Sequence, residues 1–147
     1  MKLKEIEFRS EEEFVGNILI VVSESKPISV NIELKRLWIT AQDYHNGYPE
    51  KLIETEFKEF ERGITIKPKG VEEFKVRIEQ KIKLIEDYLK KCQFEPTQNK
   101  AYELKNIVYT NLHTSTSVYI LLDDLTEYCA LVLSDANSML VCWDDVV

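Results

Sequence analysis

The side chains whose types could carry chemistry are two histidines, three cysteines and a late group of carboxylates. Two histidines, His45 and His113, are too few and too far apart in the chain for any recognised zinc spacing. There is no Cys-x-x-Cys, His-Glu-x-x-His or calcium-loop pattern, and Asp123, Asp124 and Glu127 lack the glycine-punctuated spacing of a dedicated cation loop. Four glycines leave no phosphate-cradling loop and no Gly-x-Ser-x-Gly elbow. Cys129 and Cys142 can meet across a hairpin, with a buried apolar role favoured for both. A histidine paired with a neighbouring carboxylate is the one acid–base unit that could be assembled. The expectation is a protein without metal, cofactor or catalytic residues.

The carboxylates gain meaning from their distribution. The chain has 147 residues, 44% of them hydrophobic and 31% charged, with a net charge of −7. This suits one globular domain over 1–147 and excludes a disordered chain or a globally basic nucleic-acid binder. Residues 1–50 carry 6 basic and 9 acidic groups, residues 51–100 carry 12 and 10, and residues 101–147 carry one base, Lys105, against seven acids. In an antiparallel meander, Asp123, Asp124, Glu127, Asp144 and Asp145 gather at one end, and Asp135 goes to the other. Such a patch repels nucleic acid and attracts a basic protein surface.

The elements that must position these groups are read from periodicity. Glu5–Phe8 alternates as a strand. Ser10 and the acids Glu11, Glu12 and Glu13 read as the start of a helix with Phe14, Val15, Ile18, Leu19 and Val22 on its apolar face. Ile28, Val30, Ile32 and Leu34 alternate with polar residues as a second strand, and Leu37–Thr40 reads as a third. Residues 49–62 fit helix or strand, with helix preferred. Val71, Phe74, Ile78, Ile82, Ile85, Leu89 and Cys92 form one stripe of a long amphipathic helix near 71–92. Strands are expected over Leu104–Leu112, Ser117–Leu122, Tyr128–Ser134 and Ser138–Trp143. The fold class is α+β: an antiparallel β-meander with helices packed on one face. An odd number of widely spaced cysteines and a start without a signal-peptide pattern favour the cytoplasm, and no apolar run is long enough for a membrane span.

Trp38, Tyr44 and Tyr48 surround a turn-rich stretch, and aromatic groups of this kind are enriched at interfaces. Leu34-Lys-Arg-Leu-Trp38, Asp43-Tyr44, Gly47-Tyr48 and Leu52 together resemble a pattern in small bacterial immunity proteins of contact-dependent inhibition and related polymorphic toxin systems. There a strand ending in Trp leads to Asp-Tyr, then to an aromatic and an amphipathic helix. The match spans about 20 of 147 residues. The resemblance implies a cytoplasmic, non-enzymatic protein that binds one cognate toxin domain, often a nuclease, whose basic surface suits an acidic inhibitor. Asp123, Asp124, Glu127, Asp144, Asp145, Trp38, Tyr44 and Tyr48 are the expected partner-binding residues. The alternatives are a small cytosolic enzyme with a histidine–carboxylate site and a homo-oligomeric structural subunit.

Overall fold

The computed structural model describes residues 1–10, 13–47, 50–91, 97–112, 116–124 and 127–145. The chain runs β1 (Lys2–Ser10), β2 (Glu13–Ser23), α1 (Val30–Asn46), α2 (Glu50–Gly63), β3 (Lys67–Lys69), α3 (Val71–Lys91), α4 (Thr97–Thr110), β4 (Ser117–Asp123), β5 (Glu127–Leu133) and β6 (Ser138–Asp145). These form an open antiparallel sheet of order β1-β2-β6-β5-β4-β3 with four helices, an α+β fold. The chain makes a first hairpin and lays α1 and α2 on one face. It passes β3 at the far edge, lays α3 and α4 on the other face, and returns strand by strand as the expected meander.

Helices therefore cover both faces of the sheet, where one face was expected. Side-chain alternation on the central strands is the cause. Ile18, Ile20, Val22, Tyr128, Ala130, Val132, Met139, Val141 and Trp143 pack with Phe74, Ile78 and Ile82 of α3 and Leu104 and Val108 of α4. Leu19, Val21, Cys129, Leu131 and Leu140 pack with Leu34, Leu37, Trp38 and Ala41 of α1 and Phe57 of α2.

Three further elements differ from the periodicity reading. The run read as a helix after Ser10 is β2, because Ile18–Val22 is apolar on both sides. A strand buried on both faces reads as a continuous run rather than an alternation. Ile28–Leu34 and Leu37–Thr40, read as strands, belong to a linker and α1. Ile28 and Ile32 are exposed, while Leu34, Leu37, Trp38 and Ala41 recur at helical spacing and are buried. The Ser29 Oγ accepts from the Ile32 amide at 3.2 Å and caps the helix. Leu104–Leu112 lies mostly within α4, where Ala101, Leu104 and Val108 face α3 despite the strand-like Ile-Val-Tyr-Thr run. The long helix, the helix over 50–63 and the last three strands lie where the pattern placed them.

Candidate functional site

The β4–β5 hairpin is closed by an aspartate turn. The Asp124 amide donates to the Glu127 carbonyl at 3.0 Å, and the Glu127 amide donates to Asp124 Oδ1 at 2.8 Å. In register, Asp123 lies opposite Tyr128, Glu127 opposite Asp144, and Asp144 opposite Asn17. Asp123, Asp124, Glu127, Asp144 and the backbone of Asp145 thus share one end of the sheet, the end the meander places them at. They do not share one face.

Glu127 and Asp144 lie two residues from Cys129 and Cys142 along their strands and so stand on the same, α1/α2, face. Asp123 stands on the opposite face, where Arg77 Nε donates to its Oδ1 at 3.2 Å. The Arg77 guanidinium also lies 5.3 Å from the Tyr128 ring centroid and 5.6 Å from that of Trp143, and these two rings stack at 4.2 Å. Lys81, buried to 5% exposure, adds a second cation 5.3 Å from the Trp143 ring. Tyr128 is buried with its hydroxyl unpartnered among the described residues, and burial, reinforced by the Asp123 charge, raises its pKa well above the ordinary phenol value. The unpaired surface of five acids is reduced accordingly, with Asp123 neutralised by a base from the middle third of the chain.

On the α1/α2 face the sheet end borders an open cleft of about 420 Å³. Trp38 and Phe60 form an aromatic wall, with ring centroids 5.3 Å apart and stacked. Glu127 and Asp144 line the cleft from the sheet, Glu56 and Glu59 from α2, Gln42 from α1 and Asn17 from β2. Glu59 is paired with Arg62 at 2.8 Å. Glu56, Glu127 and Asp144 make no ion pair among the described residues. Two parts of the sequence-predicted site, Trp38 and the Glu127/Asp144 pair, therefore converge on one cavity. Trp38 is only 6% exposed, so it supports the wall from within the core. Tyr44 lies on α1 with its side chain outside the described residues, as does the Asp145 side chain, and Tyr48 lies outside them altogether.

Sequence reasoning missed Glu56, Phe60, Gln42 and Asn17. Gln42 follows Trp38 at i+4, a spacing that reports a shared helix face only once residues 30–46 are known to be helical. Glu56 and Phe60 are likewise i, i+4 on α2.

A second polar cluster lies at the other end of the same face. The fully buried Glu33 accepts from the Ile28 amide at 3.2 Å, from Arg36 Nη1 at 3.2 Å and from the Ser138 hydroxyl at 3.2 Å, while Arg36 Nη2 donates to Ser23 Oγ at 3.3 Å. Its groups satisfy one another, so it ties the start of α1 to β2 and β6. Cys129 and Cys142, expected as buried apolar residues, face each other across β5–β6 with their Cα atoms 4.2 Å apart and their sulfurs in contact, the arrangement of a cross-strand disulfide. The side chain of His45 and all of His113, the residues of the acid–base alternative, lie outside the described residues. Among the described residues, no group of three or more His, Cys, Asp or Glu is placed to hold a metal ion, and no helix is long and apolar enough to cross a membrane.

No family model, curated protein or solved structure matches the chain. The segment that resembles immunity proteins is helical from Val30, so the strand ending in Trp that belongs to that pattern is absent here.

Proposed function

We propose that the protein is a non-enzymatic inhibitor of the immunity class, acting in the cytoplasm by docking the acid-rimmed cleft onto a basic surface of a cognate toxin domain. One observation carries this reading: Glu56, Glu127 and Asp144 border a concave, aromatic-walled surface and have no ion pair among the described residues. Desolvating an unpaired carboxylate is unfavourable unless a cation arrives with the partner, so the surface selects a basic one. Nucleic acid is disfavoured by the same charges.

The test is growth protection. A toxin domain recovered by pull-down from the native host, or found encoded next to the gene, is expressed alone and with the protein, and association is timed at low and high salt. Protection is expected, with a one-to-one complex whose association slows as salt rises. The Glu127→Lys/Asp144→Lys variant should associate about tenfold more slowly at low salt while keeping its fold. An unchanged association rate, or no protection from that domain, overturns the reading.

A further inference from the structure

We infer that the cleft is an anchor site for a single arginine side chain presented by the partner; this rests on the inhibitor reading and narrows it to a chemistry. The molecule already shows that chemistry on the opposite face of the same sheet end. There Arg77 lies over the stacked Tyr128 and Trp143 rings and donates to the Asp123 carboxylate at 3.2 Å. The cleft face repeats the composition: a stacked aromatic pair, Trp38 and Phe60, beside the carboxylates Glu127 and Asp144, with Glu56 across from them on α2. It differs in one respect. Among the described residues no lysine or arginine lines the cleft.

Arginine suits this arrangement better than lysine. Its guanidinium is planar and weakly hydrated, so it can lie along a ring while its edges donate to carboxylates on either side. A lysine ammonium is a compact, strongly hydrated charge that gains less from the aromatic wall. Phe60 is half-buried, so part of its surface is open to a ligand, whereas Trp38 backs it from the core. A metal ion is the poorer occupant, because among the described residues no group of three or more His, Cys, Asp or Glu is placed to hold one.

The test titrates the whole protein with three capped tripeptides, Gly-Arg-Gly, Gly-Lys-Gly and the neutral isostere Gly-citrulline-Gly, following amide and indole resonances by NMR. The expected result is a saturable shift at the Trp38 indole, at Phe60 and at Glu127 and Asp144, strongest for arginine, weaker for lysine and absent for citrulline. Glu127→Gln/Asp144→Asn should weaken arginine binding about tenfold, the loss of one or two charge-assisted contacts. Phe60→Leu should keep binding but erase the preference for arginine over lysine. Equal shifts with citrulline, shifts scattered outside the cleft, or none at all overturn the anchor. The peptides require no toxin, so the two readings fail separately. Growth protection with no arginine site removes the anchor alone, and an arginine site without protection removes the inhibitor alone.

Discussion

The two ends of the α1/α2 face handle the same kind of residue in opposite ways. At one end the Glu33 carboxylate is fully buried and every contact it makes is internal: an amide, a serine hydroxyl and Arg36. At the other, Glu127 and Asp144 are exposed at the mouth of a cleft with no ion pair among the described residues. α1 runs between them, with Glu33 near its start and Trp38, Ala41 and Gln42 at the cleft. A closed polar cluster holds the fold and offers nothing to a partner, whereas an open one adds little to stability and keeps its charge available. Polar residues are informative about function only after their internal partners have been counted.

Four substitutions or titrations would break or sharpen this contrast. The largest effect is expected from Trp38→Ala. It removes a buried aromatic packed on Phe57 and Phe60, and should cost about 4 kcal/mol in denaturant unfolding. A loss near zero would mean that the cleft wall is separate from the core. Glu33→Ala leaves the Ile28 amide and the Ser138 hydroxyl without their acceptor and should cost about 3 kcal/mol. If chemical denaturation shows no change, the closed end is not a structural tie.

Arg77→Ala should cost about 1 kcal/mol, because its ion pair with Asp123 is partly exposed and its ring contacts are single cation–π interactions. Its sharper consequence is electrostatic: it frees Asp123 and makes the sheet end acidic on both faces. Association with a basic partner should then quicken at low salt, and slower binding would contradict the charge account. The smallest effect is alkaline. Partial burial, then the hydrogen bond from its hydroxyl to Glu79, pushes the Tyr109 pKa up to about 12 from an ordinary value near 10. The folded state therefore holds this proton more tightly than the unfolded chain, and the stabilisation is present below pH 10 and lost as pH climbs towards 12. Tyr109→Phe should flatten that decline in a stability-versus-pH series, and an identical slope would assign it elsewhere.

Legibility followed the length of each pattern. The seven-position stripe from Val71 to Cys92 is long enough to exclude a strand, and the α3 helix is there to Lys91. The alternation of four apolar positions over Ile28–Leu34 is too short to exclude a helix, and it competes with the equally local spacing of Leu34, Leu37, Trp38 and Ala41. Ile18–Val22 carries no period at all, so its burial on both sides depends on neighbours the sequence does not name. The candidate site divides in the same way. That the late acids sit at one sheet end follows from hairpin connectivity, a local property. That Asp123 turns away to Arg77 depends on the bulge between Ile120 and Leu122 and on a helix packed from elsewhere in the chain.

By itself, then, the sequence determined the acidic balance of the last third, the long α3 stripe and the strands of the meander, since charge and local periodicity are properties of neighbours along the chain. The tertiary structure alone decided that helices cover both faces, that Asp123 is ion-paired while Glu127 and Asp144 are not among the described residues, and that Trp38 from α1 and Glu56 from α2 meet these acids around one cleft. Those outcomes turn on which side of a strand faces which helix, and a single-residue change of register or one bulge sends a side chain to the opposite side.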